Sequence, residues 1–332
     1  ISILPSSIFI VVPEGISSSN SSSMIFVTGT KRSGTSMWMK ILIEAGFPYI
    51  GKPYPKNWIH SIKEANEEGF YESPLRRGVY HATNPNPKTG AYLFPQKTKI
   101  HAIKVFIPGL VRSDLAFIHR VVGTIRPWRE YTTSLRRLYD MENEFLKKQP
   151  KKEHSLLSPY DMAVLQRGSL HPAWEWWREN YDLIRNFATR RFAFNLVSYQ
   201  KLLSNPDEII APVIEWCAKD SIPIERLDLD KAIAVVKPKL NTQKETTITD
   251  SPLTPEQEVL FDELHDYFYR QAPLQSSFIE KLNELDLVLS PQIRSHRKQD
   301  AMLFQNSLRN MGLSEKEAID MSEKNIEESR QI

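Results

Sequence analysis

Two rhythms of apolar positions alternate along the chain. Residues 24–28 (MIFVT) are an unbroken, mainly apolar, β-prone run, and from Met37 onward apolar residues recur at helical spacing, at Met37, Ile41 and Ala45 with Trp38 and Leu42 beside them. Between the two lies Gly29-Thr30-Lys31-Arg32-Ser33-Gly34-Thr35-Ser36, so the pattern predicts a buried strand, a tight loop and an amphipathic helix. The succession returns later. Residues 100–107 (IHAIKVFI) predict a second strand that stops at Pro108-Gly109. Residues 115–139 predict a helix, a strand over 121–125 that ends at Arg126, and another helix. Residues 192–199 predict a further strand leading into a short helix, and 207–218 an amphipathic helix with Ile209, Val213 and Trp216 on one side. Strands alternating with helices predict an α/β fold around a mainly parallel sheet, whose ligands sit at the carboxyl ends of the strands.

The segments between these units read differently. Residues 46–99 are rich in Pro, Asn, Gly and Tyr and predict long loops with one short helix, and long loops in a compact domain are usually functional. Residues 140–169 are polar and basic, with Lys147, Lys148, Lys151 and Lys152 around Pro150, and read as a solvated surface or the border of a binding site. A helical stretch over 171–191 carries Trp174, Trp176 and Trp177, a cluster suited to core packing or to lining a cleft. Thr254 and Gln257 form a capping box with Pro255 at the first helical position, and Ser314 and Glu317 form a second in a charged, helical tail. At the start, residues 1–12 are apolar but broken by Pro5, too short to span a bilayer and without a basic leader, and 17–23 have linker composition. The organisation expected is a leader over 1–23, one α/β domain over 24–270 and a helical extension over 271–332.

Composition changes this picture little. Of 332 residues, 41% are apolar and 25% charged, enough for a sizeable core. A net charge of +3 is too mild for a nucleic-acid binder, and a local basic site around an anion is expected instead. Cys217 is the sole cysteine, which excludes an intrachain disulfide, argues against a cysteine-based metal site and permits a cytoplasmic setting.

The candidate chemistry lies in the first loop. A turn bracketed by Gly29 and Gly34 can aim peptide N–H groups inward, the following helix start adds unpaired donors, and Lys31 and Arg32 supply full positive charge, so an anion is favoured there. The spacing satisfies the nucleoside-triphosphate loop G-x-x-x-x-G-K-[ST] except for its lysine, here Thr35, which weakens a triphosphate reading. Arg32-Ser33-Gly34-Thr35-Ser36 instead resembles the 5′-phosphosulfate loop, P-[KR]-S-G-T-[ST], of sulfotransferases that use 3′-phosphoadenosine 5′-phosphosulfate (PAPS), with Lys31 in place of the proline. Three further segments carry the resemblance in family order. Residues 66–72 (NEEGFYE) are similar to the N-x-x-G-[FY]-[FY]-E segment of bacterial-type members. Arg126 and Ser134 stand eight positions apart like the family's 3′-phosphate pair, although the proline at Pro127 is one position early. Residues 197–201 resemble the family's strand followed by [VR]-x-Y-E-D-L, with Gln200-Lys201 in place of the acidic pair. Lys104 and Pro108 also match the V-K-T-H-x-P strand of cytosolic members, but Phe106 stands where the catalytic histidine should be.

The resemblance covers 24–270 and implies a three-layer, P-loop-like sandwich that carries sulfuryl groups from PAPS to a hydroxyl or amine, without a metal. By it, Lys31, Arg32, Ser33, Gly34, Thr35 and Ser36 hold the phosphosulfate, Lys104 the sulfuryl oxygens, Arg126 and Ser134 the 3′-phosphate, and Tyr199 the adenine end. The base is Glu72, with His81 or His101 as alternatives. Glu72 has a second reading as a helix cap or as the partner of Arg76. No family motif covers 281–332; the family often has a basic loop late in the chain, and Arg294, Arg297 and Lys298 would close over the phosphates if they formed it, but a packed or partner-binding helical tail is the preferred reading there. The acceptor, a small molecule, glycan or lipid, is not named by any motif. Two rivals stand beside this reading: a nucleotide kinase or NTPase with a degenerate loop, and a silent phosphoadenosine-binding protein.

Overall fold

Strand β1 (Met24–Gly29) is buried along its whole length at the centre of a five-stranded, all-parallel sheet. The structure is a computed structural model that describes residues 23–53, 71–150, 158–219, 221–237 and 247–329. The leader, apart from Ser23, lies outside the described residues, as do 66–70 of the NEEGFYE segment and Lys151 and Lys152. In the sheet, β1 lies between β5 (Ala102–Lys104) and β6 (Ile118–Ile125), with β2 (Tyr49–Ile50) outside β5 and β7 (Ala193–Ser198) outside β6. A separate antiparallel ribbon pairs β3 (Lys52–Pro53) with β4 (Tyr71–Glu72).

Because successive strand residues point to opposite faces, β1 serves two cores. Met24 and Phe26 join a cluster with Val121, Phe194, Trp176 and Phe261. Ile25 and Val27 join another with Trp38, Leu42, Val122 and Val197. The first layer comes from α2 (Ile107–Arg112), α3 (Trp128–Lys147), α5 (Pro172–Arg190), α9 (Pro255–Tyr269) and the start of α10 (Ser276–Asn310). The second comes from α1 (Thr35–Glu44), α6 (Tyr199–Ser204), α7 (Pro206–Ala218) and α8 (Leu229–Ala234). Trp176 and Trp177 stack on Phe261 with centroids 5.0 and 5.2 Å apart, so these two are core residues and not cleft lining.

Two expected elements differ. The strand expected over 100–107 keeps only Ala102–Lys104, and the chain enters α2 straight through Pro108 and Gly109. Proline is tolerated in a first helical turn, where its missing N–H has no partner to lose. The helix expected before β6 is a single turn at Leu115–Phe117, started by Asp114 accepting from the Ala116 N–H, and the strand begins early because Ile118 pairs with Met24. Both capping boxes form, at Thr254 with Gln257 and at Ser314 with Glu317. The main core continues across residue 270, since Phe278, Ile279, Leu282, Leu285, Leu289 and Ile293 of α10 belong to it. Further along, Phe304 and Leu308 pack with Ala318 of α11 (Glu315–Ser329) and with Met162 and Leu165 of α4 (Pro159–Arg167). No helix among the described residues is long and apolar enough to cross a membrane.

Ser198 ends β7 and its hydroxyl lies 3.0 Å from Nε2 of His265 on α9. Burial pushes His265 down to about 4, against a smaller opposing effect of Asp266. Between its ordinary value near 6.5 and about 4 the unfolded chain binds more protons, so stability falls as pH drops through that window. His265 alone is expected to account for about 2 kcal/mol of loss from pH 7 to pH 5, read as a shift in urea midpoint that His265→Gln removes. His171, also held near 4 by burial and Arg136, retains its own share in the variant.

Candidate active site at the carboxyl edge of the sheet

The loop after β1 is built by close approach. A Cβ on Gly29 would meet the Thr124 carbonyl oxygen at 2.5 Å, and one on Gly34 would meet the Tyr199 ring at 2.6 Å, with Gly34 at φ 98°. The loop closes on itself, with the Ser33 N–H and hydroxyl both donating to the Thr30 carbonyl, at 3.2 and 2.6 Å. Thr124, across the β1–β6 pairing, donates to the Ser33 carbonyl at 2.7 Å. Gly34 is the N-cap of α1 and has no side chain to satisfy the first-turn N–H groups, so those of Thr35 and Ser36 are left for an anion.

Parallel register then brings the other strand ends alongside. Arg126 follows β6, buried at 4% exposure. Its Nε donates to Glu130 Oε2 at 3.0 Å, one of its terminal nitrogens donates to the Arg32 carbonyl at 3.3 Å, and its guanidinium carbon stands 4.9 Å from the Tyr199 ring centroid. Trp176 Nε1 donates to the Arg126 carbonyl at 2.8 Å, and Gln200 donates to the other oxygen of Glu130 at 2.7 Å. Arg32 Nε donates to Ser134 Oγ at 3.2 Å. Burial first, then Arg126 and Arg137, push Arg32 down to about 10, with Tyr199 opposing. Guanidiniums that press on one another this way are stabilised by an anion placed among them.

Beside this cluster lies a buried ion pair. Lys104 at the end of β5 places Nζ 2.7 Å from Glu72 Oε1 and 3.4 Å from Ser36 Oγ, and the Lys104 and Glu72 side chains are 5% and 8% exposed. Burial pulls the Lys104 pKa below its ordinary value, Glu72 opposes, and Arg32 and Arg76 add to the fall. Glu72 is held by the β3–β4 ribbon opposite Lys52, and its Oε2 is buried without a hydrogen-bond partner. It therefore pairs with Lys104 and not with Arg76. His81 is exposed. His101 sits at the amino end of β5, its Nδ1 3.0 Å from the Lys99 carbonyl, about 10 Å of strand away from Lys104.

Of the residues expected at the site, Arg32, Gly34, Arg126, Ser134 and Tyr199 form one cluster, and Ser36, Lys104 and Glu72 a second next to it. Thr35 is buried in the first turn of α1 between them. Ser33 uses its hydroxyl inside the loop. Lys31 turns elsewhere, to Tyr139 of α3. Arg294, Arg297 and Lys298 lie within the 35-residue helix α10 and not in a loop. The sequence reading missed Thr124, Glu130 and Arg137. Arg137 follows Ser134 by three on α3, a spacing that puts the two on one helical face, and Glu130 stands in the first turn of the same helix, four residues after Arg126. Thr124 carries no such signal, because its role arises from strand pairing. No protein-family model matches the chain, and no curated protein matches it.

Proposed function

We propose that this chain is a PAPS-dependent sulfotransferase that acts on a hydroxyl or amine of a small molecule, glycan or lipid. The observation that carries the reading is the adjacency of two unlike groups around the first turn of α1: the Arg32, Arg126, Ser134 cluster and the buried Lys104–Glu72 pair. The first suits the phosphates of a nucleotide, and the second pairs a cation for sulfuryl oxygens with a carboxylate that retains an unused oxygen. A phosphate loop after the central strand of a parallel sheet in the order β2-β5-β1-β6-β7 supports a P-loop-like sulfotransferase fold.

The donor supplies an activated sulfuryl group. Arg126 and Ser134, with Arg137 nearby, hold the 3′-phosphate, and Tyr199, pinned between Gly34 and Arg126, flanks the adenine end. Arg32 moves from Ser134 toward the leaving phosphate, where it, the loop N–H groups and Thr35 stabilise the departing charge. Lys104 steadies the sulfuryl oxygens. Glu72 receives the acceptor's proton on Oε2, the part that Phe106 cannot play. The lone, buried Cys217 is compatible with a cytoplasmic setting.

Calorimetry with adenosine 3′,5′-bisphosphate and with ATP plus Mg²⁺, followed by transfer from radiolabelled PAPS to a panel of phenols, sugars, lipids and amines, tests the reading. Magnesium-independent bisphosphate binding and a labelled product are expected. Bisphosphate binding with no product from any acceptor would favour the silent binding protein, and ATP binding that requires Mg²⁺ the kinase.

A further inference from the structure

Lys31 and Arg32 are neighbours whose side chains serve different partners. Arg32 reaches Ser134, while Lys31 extends to Tyr139, its Nζ 6.0 Å from the ring centroid. Glu175 and Glu179, one turn apart on α5, are within electrostatic reach of the same ammonium. Burial alone would lower the Lys31 pKa, but Tyr139, Glu175 and Glu179 together outweigh it and raise it, so the ammonium stays charged. Glu179 is buried at 7% exposure with Arg178 3.8 Å away. The Tyr131 hydroxyl, fully buried and without a hydrogen-bond partner, is within electrostatic reach of both carboxylates.

This grip bears on the next residue. Arg32 has φ 66°, a left-handed conformation that a residue with a Cβ adopts reluctantly and keeps only when its surroundings hold it there. On one side Arg126 donates to the Arg32 carbonyl. On the other, the restraint comes from Lys31, set over Tyr139 of α3 in the opposite layer from α1.

We propose that Lys31 is a positioning residue for the phosphosulfate loop: held over the Tyr139 ring, it keeps Arg32 in the left-handed turn from which the guanidinium and the loop N–H groups meet the donor. The role rests on the sulfotransferase reading above. Tyr139 is itself covered by Arg167 of α4, its guanidinium carbon 4.6 Å from the ring centroid, which fixes the ring that Lys31 meets.

The test is calorimetry of adenosine 3′,5′-bisphosphate with wild type, Lys31→Met, Lys31→Arg and Tyr139→Leu, with melting temperatures alongside. Lys31→Met is expected to weaken binding about tenfold, equal to about 1.4 kcal/mol, with a near-wild-type melting temperature, and Lys31→Arg to restore most of it. Should Lys31→Met not fold, Tyr139→Leu, which removes the ring that Lys31 covers, gives the same answer. A wild type that binds while Lys31→Met or Tyr139→Leu binds equally well overturns the role of Lys31 alone. A wild type that binds no bisphosphate overturns the nucleotide reading and this role with it.

Discussion

Glu72→Gln is expected to slow sulfuryl transfer by about 100- to 10,000-fold, the usual range for loss of a general base, and to leave bisphosphate affinity nearly unchanged. Its carboxylate has one oxygen engaged by Lys104 and the other buried and unengaged. The proposed base needs just such an oxygen, close to the cation assigned to the sulfuryl oxygens in the proposed mechanism. Glutamine keeps the shape and an acceptor for Lys104 but cannot take a proton. The substitution also leaves a lysine that is 4% exposed without its counter-charge, and breaking a buried pair in this way typically destabilises by about 3–5 kcal/mol. The double variant Glu72→Gln/Lys104→Met removes that unpaired charge. Single-turnover rates on protein shown to be folded separate the two effects. A folded Glu72→Gln that transfers at the wild-type rate would reduce Glu72 to an ion-pair partner and put the base elsewhere.

Arg126→Ala carries the second large effect, and it is an effect on selectivity. Charged hydrogen bonds to phosphate contribute about 1.5–3 kcal/mol, so PAPS should bind about 10- to 150-fold more weakly while adenosine 5′-phosphosulfate, which lacks the 3′-phosphate, changes little. Glu130 would lose its partner at 3.0 Å, and Arg126→Ala/Glu130→Gln controls for the carboxylate left behind. Competition calorimetry of the two donors gives the ratio directly. Equal losses for both would remove the 3′-phosphate assignment and leave Arg126 as a brace for the loop through the Arg32 carbonyl.

Much of the architecture was legible in local pattern. Residues 24–45 announced strand, loop and helix because each is set by near neighbours: apolar runs for strands, helical spacing for α1, glycine where the chain must turn sharply. The eight-residue step from Arg126 to Ser134 came from the family resemblance, and the structure sets Arg126 after strand β6 and Ser134 on the helix α3 that follows it. The strand over 100–107 was read too long because β propensity persists to Ile107, whereas pairing with β1 stops at Lys104 and the Pro108 turn lets the helix begin.

By itself, then, the order of residues determined that a glycine-bracketed turn with adjacent positive charge follows a buried strand, and that Arg126 ends another. Only the tertiary structure decided which partners those groups have: Glu72 for Lys104 across 32 positions, Ser134 for Arg32 across 102, and Tyr139 instead of the Arg32 cluster for Lys31. The physical reason is that a helix or a turn is determined by contacts a few residues apart, while the pairing of parallel strands joins distant segments whose meeting leaves no periodic trace in the chain.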